Sequence, residues 1–597
     1  MTDRCQLIRP DQLSCALRFW LLVVALYSFA LAQAFAGSSE RGQLEAQQLL
    51  KRGGVSDPVA MAAFLPSSEA EAAQHHIEGR LQLLPTMSAG FRAHRDDYGY
   101  ALQSAARVRE LPAFDFAFIQ AGDQLLPTQR GPIPSEHPHW EWVLEPGRVW
   151  QEAGDEGYSR AALPFSLQQR CENCIHNGVL SFLYKSDGSV SSVAYQIGSE
   201  TCLYFQFDLW GQAPAVYTPA TVPGAASIAR AHGQQLTARL PVRPIEALAS
   251  DYPGTDLSSF NGEPQIDPAA MTVYGLVING VHYMGGCQTR YGRYPFCEVL
   301  DVPSYSLAKS LVAGLGLMRM QQLYPGVVDA RISDYVPECA ASGRWGDTTF
   351  GNAADMATGL YDSPVHEADE AATGKREAFF DAYSHAGKIA FACKHYYRQS
   401  QPGALWVYHT SDTYVLGTAL NSYLARHAVG GTDLIDDVLL PWWQALELSP
   451  TSRVSRRTYD SVAQPFTGYG LTLHADDIAR LASFINGEEI SSQLDESMLD
   501  AALQRDPEHR GLPAVDASLY YKTGFWGYPG FSAKGCDEPV VLPFMVGYGG
   551  INVVLMPNQT IYYYFSDGGT FSWLKAAAES SRIKSFCPPR QDTAHDR

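Results

Sequence analysis

The chemistry in this chain begins at Ser306-Leu-Ala-Lys309. On a helix, residues three apart share a face, so the lysine amine can reach the serine hydroxyl. A serine alone is a poor nucleophile. It needs a neighbouring base, and a lysine stripped of water can be neutral enough to serve. A helix start adds unpaired N–H groups and a field that favours a developing oxyanion. The tetrapeptide is weak evidence by itself, because the chain holds a second one, Ser581-Arg-Ile-Lys584. Context separates them. Leu307, Leu311, Val312, Leu315, Leu317, Met318 and Met320 follow Ser306 and describe a helix buried in a domain centre. Ser581 lies beside Arg582 and Lys584 near the chain end, as on a surface helix. A second element, Pro402-Gly403 to Leu416-Gly417, carries Tyr408 and Thr410. A phenol near the serine and lysine could relay a proton to a leaving group, and Thr410 could hydrogen-bond lysine or substrate.

These residues need elements to position them. Met271 to Met284 is two apolar runs around Asn279-Gly280, which predicts a hairpin. A helix follows from Ser306, and helical segments dominate to about residue 510. Strands return at Val553–Met556 and Ile561–Phe565, split by a Pro557-Asn558 turn, and a last helix runs from about 570 to 585. Strands at both ends with helices between predict an α+β domain, an antiparallel sheet flanked by helices, over residues 251–590. Residues 37–250 read as a smaller β-rich region plus linker. Its strand-like runs are Gly178–Tyr184, Val190–Tyr195 and Cys202–Asp208. Prolines at 214, 219, 223, 241, 244 and 253 mark the linker zone. This region shows no catalytic constellation. Its aromatics Trp140, Trp142, Trp150, Tyr204, Phe207 and Trp210 read as core, with a ligand platform as the alternative.

A length of 597 residues fits two domains, and 46% hydrophobic with 18% charged residues excludes a disordered chain or a coiled coil. The formal charge of -19 repels phosphate backbones and argues against a nucleic-acid partner. Arg4, Arg9 and Arg18, an apolar run from Phe19 to Ala36, and Ala34-Phe35-Ala36 read as a secretory signal over residues 1–36, with a retained membrane anchor as the alternative. No other long apolar run exists, and residues 591–597 form a tail. Nine of eleven cysteines follow the signal, and in an exported protein they predict disulfides. Cys287 and Cys297 flank a short turn and could bridge it. Cys171-Glu-Asn-Cys174 with His176 superficially suggests zinc, but a disulfide from one of these cysteines, to Cys202 for example, fits the compartment better. An odd count predicts at least one thiol left free or paired between chains.

Five segments in order resemble the serine β-lactamase-like hydrolases, specifically the class C β-lactamase, esterase and D,D-peptidase branch. They are Val302–Ser310, Thr348–Leu360, Pro402–Gly417, Gly468–Arg480 and the strands from Tyr548 to Phe565. The match covers roughly residues 255–585. The resemblance implies that Ser306 is the acylated nucleophile, Lys309 its base partner and Tyr408 the second proton-transfer group, with no metal or cofactor. Thr410 stands where the family often has Asn, which lowers the expectation of antibiotic hydrolysis. The family's third element, Lys-Thr-Gly or His-x-Gly, has two candidates. Lys522-Thr523-Gly524 has the letters. Tyr548-Gly549-Gly550 has the neighbourhood, leading into the final hairpin and helix, and is favoured. On that choice the N–H of Ile551 joins that of Ser306 as the oxyanion hole, and no cation awaits a substrate carboxylate.

The expectation is therefore an exported serine hydrolase, periplasmic or secreted, that cleaves an ester or amide bond of a small-molecule or peptide substrate. One alternative is a D,D-peptidase or β-lactamase acting on cell-wall-like ligands. Another is a catalytically silent binding protein on the same fold.

Overall fold

A computed structural model of the protein describes residues 44–428 and 431–587. The expected signal segment and C-terminal tail lie outside the described residues. Two antiparallel sheets organise the rest. The first has eleven strands between Gly79 and Pro219, centred on Ser159–Gln169 and Ile175–Tyr184. The second has nine, and begins with Val242–Pro244, inside the zone that the prolines marked as linker. That short strand pairs in parallel with Val281–Gly286. The order then runs through Met271–Ile278, Ile561–Ser566, Ile551–Leu555, Val540–Gly547, Phe525–Phe531 and Leu519–Lys522 to Leu512–Ala514. The predicted hairpin is present, with Asn279 at φ 52° and Gly280 at φ 75°, the positive values its tight turn requires. Helical segments fill the sequence between the strands, so the C-terminal part is α+β with a β-rich unit before it.

The two central strands of the first sheet are buried along their whole length. Their faces differ. Ala161, Leu163, Phe165 and Leu167 point into that unit's own core, with Trp140, Trp142, Tyr204 and Phe207. These aromatics are buried, as the core reading expected. The alternate residues face the second unit and are partly polar. Ser166 donates to Asp301 Oδ2 at 2.8 Å, and Asn177 exchanges hydrogen bonds of 2.8 and 3.1 Å with the Asp301 backbone. A buried polar seam thus lies between the units, beside an apolar cluster that spans both.

Glu145 of the first unit meets Asp301, His474 and Asp477 of the second in that seam. His474 Nε2 lies 3.2 Å from Asp301 and 3.4 Å from Glu145, and Nδ1 lies 3.5 Å from Asp477. Arg130 pairs with Glu145 from the outer side. Burial opposes charge on the imidazole, but the surrounding carboxylates outweigh it and push His474 up to about 10. The same balance, won by Arg130 and His474, holds Glu145 down to about 2.

Disulfides join Cys174–Cys202, Cys287–Cys297, Cys339–Cys393 and Cys536–Cys587. The first places Cys174 and Cys202 beside His176, and its sulfurs are committed to each other instead of to a metal. Cys171 is disulfide-bonded too, so the leftover thiol predicted by an odd count is not seen among the described residues. No helix among the described residues is long and apolar enough to cross a membrane.

The seam couples pH to stability. A histidine at about 10 when folded and about 6.5 when unfolded contributes in full below about 6.5 and loses that contribution as pH climbs toward 10. In thermal melts, the Tm gap between wild type and His474→Gln is expected to be widest near pH 6 and to close near pH 10. A pH-independent gap would contradict this account.

Candidate active site

Ser306 follows a two-residue strand, Val302–Pro303, that pairs with Thr472–Leu473. The predicted helix does not begin at Ser306 itself. Tight turns come first, with N–H groups of Leu307, Ala308 and Lys309 donating to the carbonyls of Ser304, Tyr305 and Ser306 at 3.0–3.2 Å. A widened π-helical turn, Lys309–Gly314, leads into the α-helix Leu315–Leu323. Such turns recur at functional sites. Gly314 is required there: a Cβ would lie 2.4 Å from the Thr523 carbonyl oxygen.

Tyr305 has φ 39°, a left-handed conformation costly for a residue with a Cβ. The β-rich unit stabilises it. Asn173 Oδ1 accepts from the N–H groups of Tyr305 at 2.7 Å and Gly470 at 3.1 Å, and its Nδ2 donates to Leu471 O at 3.2 Å. One buried amide thereby ties the Ser306 segment to the loop that supplies Gly468. Sequence reading missed Asn173, since an asparagine between two cysteines looks like loop filler.

The structure brings Ser306, Lys309, Tyr408 and Thr410 together. Lys309 Nζ donates to Ser306 Oγ at 2.8 Å, Thr410 Oγ1 at 2.7 Å and Gly468 O at 3.2 Å. Tyr408 Oη donates to Ser306 Oγ at 2.7 Å. Ser306 and Tyr408 reach the surface while Lys309 is buried. Burial pulls the lysine down to about 7, with Glu370 opposing and Lys375 assisting. Burial also raises the Tyr408 phenol well above its ordinary value, so it stays protonated. Among the described residues, the Ser306 N–H takes no backbone partner.

The acidic pair Asp369-Glu370 also went unnoticed in the sequence. Asp369 accepts from the N–H groups of Asp362 and Ser363 at 2.9 and 3.0 Å and pairs with His409 Nε2 at 3.0 Å, which folds its loop against the segment bearing Tyr408. Glu370 accepts from the Thr410 N–H at 3.0 Å, from the Thr410 hydroxyl, and from Lys375 Nζ at 2.6 Å. Burial opposes its charge, yet Lys375 and Lys309 hold it down to about 2.

The two third-element candidates occupy different places. Lys522 binds Asp355 Oδ2 at 2.8 Å, and Gly524 O accepts from Ser310 Oγ at 2.6 Å, so Lys522-Thr523-Gly524 braces the back of the nucleophile helix. Tyr548-Gly549-Gly550 forms the turn after Val540–Gly547, and its Tyr548 ring lies 5.5 Å from that of Tyr305. Gly547 approaches Ser304 so closely that a Cβ would lie 2.8 Å from its carbonyl oxygen. Tyr548 therefore borders the segment that leads into Ser306. Ile551 pairs with Gly547 and Phe565. Gly550 O faces Ser566, so the Ile551 N–H across the same trans peptide points toward the Gly547 strand. On the far side of Ser306, Trp406 and Trp526 flank Tyr408 with ring separations of 6.0 and 6.1 Å, and His366 stacks on Trp406 at 5.6 Å. Ser581 donates to Ala578 O within the last helix; it is buried rather than on the surface face expected for it.

No protein-family model matches the chain, and no curated protein matches it in sequence. Solved structures do resemble it. A class C beta-lactamase is 13% identical, covers 61% of this chain and 98% of its own, and has a TM-score of 0.37. A D-stereospecific amidohydrolase from Streptomyces sp. is 13% identical, covers 52% and 94%, and scores 0.37. A family VIII carboxylesterase is 16% identical, covers 52% and 92%, and scores 0.37.

Replacing Asn173 by Ala removes the acceptor shared by two buried N–H groups, at about 1–3 kcal/mol for each group left unpaired. The variant is expected to melt earlier and to be labelled at Ser306 by a serine-reactive fluorophosphonate about tenfold to hundredfold more slowly, since small misplacements of a reacting group are costly. Wild-type labelling kinetics in this variant would show that the amide does not position the site.

Proposed function

We propose that the protein is an exported serine hydrolase that cleaves an ester or amide bond through an acyl-enzyme on Ser306. The observation that carries this is one hydroxyl, Ser306 Oγ, held 2.8 Å from Lys309 Nζ and 2.7 Å from Tyr408 Oη on partly exposed residues. Neutral Lys309 takes the Ser306 proton as Oγ bonds to the carbonyl carbon. Ser306 N–H faces the oxyanion. The bond to the leaving atom breaks as that atom takes the Tyr408 proton, and the phenolate recovers the proton held by Lys309. Water then repeats the sequence in reverse on the ester, releasing the acid and restoring Ser306. A lysine at about 7 and a phenol that stays protonated suit those two roles near neutral pH.

Tyr548 places a half-exposed phenol, not a cation, beside the nucleophile segment. With the net charge of -19 this favours esters or amides that lack the carboxylate of β-lactams. The disulfides support export.

A fluorophosphonate probe should label Ser306, identified by mass spectrometry and lost in Ser306→Ala. Its rate should rise through about pH 7 as Lys309 loses its proton, and fall at least about 100-fold in Lys309→Met. Folded protein that forms no Ser306 adduct would refute the hydrolase reading. In a panel of esters, amides and a chromogenic β-lactam, turnover is expected for neutral esters or amides. Tyr548→Phe should change KM for these substrates more than Lys522→Ala does.

A further inference from the structure

Lys309 has three hydrogen-bond directions, and each meets an oxygen: Ser306 Oγ, Thr410 Oγ1 and Gly468 O. As an ammonium it donates along all three. As a neutral amine it keeps two protons and one lone pair, and catalysis needs the lone pair on Ser306. Gly468 O can only accept, so one proton stays there. Thr410 is ambiguous, because a hydroxyl both donates and accepts. If its proton turned toward Nζ, it would occupy the lone pair and disable the base.

Glu370 resolves the ambiguity. An ionised carboxylate only accepts. Its Oε2 is fixed by the Thr410 N–H at 3.0 Å and Lys375 Nζ at 2.6 Å, and its Oε1 takes the Thr410 hydroxyl proton. With that proton committed, Thr410 Oγ1 can only accept from Lys309. We propose that Glu370 is a positioning residue: through Thr410 it orients the neutral Lys309 amine so that its lone pair faces Ser306. This rests on the proposed acylation of Ser306. The charged groups facing Lys309 are Glu370 and Lys375, and the Tyr408 ring lies 4.9 Å from Nζ.

The test separates this role from simple charge balance for buried Lys375. In Glu370→Gln, the amide oxygen stays on Lys375 and the Thr410 N–H, which turns the NH2 toward Thr410 Oγ1 and reverses its hydroxyl. Glu370→Gln/Lys375→Met removes both charges together, so its Tm and the pH midpoint of labelling are expected to stay close to wild type. Its plateau labelling rate is expected to fall about 100-fold through the inactivation rate constant, with little change in probe affinity. Thr410→Val should show the same loss, and Thr410→Ser, which keeps the hydroxyl, should recover most of the rate. Wild-type rates in the double variant would show that Glu370 only balances Lys375 and would overturn the proposal, as would full activity of Thr410→Val. If the double variant fails to fold, the Val and Ser pair at Thr410 decides. Failure of wild type itself to label would instead remove the hydrolase reading on which the proposal stands.

Discussion

A lysine amine is buried here with an oxygen in each of its three hydrogen-bond directions, and the site is built around satisfying it. Desolvation brings Lys309 to about 7, which is what makes an amine available as a base near neutrality. An amine in that state is useful only if its lone pair points at the serine. That requirement reaches outward from Lys309 to Thr410, from Thr410 to Glu370, and from Glu370 to Lys375. The loop carrying Glu370 is itself held by Asp369 against His409, next to Tyr408. Lys309, Tyr408 and their supports therefore belong to one connected polar network.

The β-rich unit takes part in this arrangement. Its central strands turn one face to their own aromatic core and the other to the helices and loops around Ser306. Asn173 stabilises the strained Tyr305 backbone and ties it to Gly470, two residues from the carbonyl that Lys309 uses. Glu145 and Asn177 hold the Asp301 and His474 region that leads into the same two segments. Buried polar groups of this kind are costly unless fully partnered, and that cost fixes how the two units dock.

The Lys-Thr-Gly letters show how sequence identity and spatial role separate. Lys522 is paired with Asp355, and its turn packs against the π-helical segment from behind. Tyr548 has none of those letters, yet it stands beside Tyr305. Sheet position separates them: two strands lie between Leu519–Lys522 and the Ile551–Leu555 hairpin arm, so the Gly524 turn meets Lys309 and Ser310 while the end of Val540–Gly547 meets Ser304.

Local pattern determined a good deal. The Asn279-Gly280 turn, the final hairpin and helix, the buried character of the segment after Ser306, and the spacing of Ser306 and Lys309 were all legible, because each depends on residues close in sequence. The pairing Cys287–Cys297 was within reach for the same reason, and a bond from Cys171 or Cys174 to Cys202 was expected from the compartment, whereas Cys339–Cys393 and Cys536–Cys587 span 54 and 51 residues and left no local trace. The contacts of Asn173, Glu370 and the Gly468 carbonyl were invisible for a related reason. An asparagine, a glutamate and a glycine carbonyl have no distinctive spacing, and they acquire a role only when chain closure brings them within about 3 Å of a buried amine or a strained peptide. The sequence by itself specified a serine and a lysine three residues apart at the start of a buried segment. Only the tertiary structure decided which groups surround the lysine amine, because its hydrogen-bond partners Thr410 and Gly468 lie far from it along the chain.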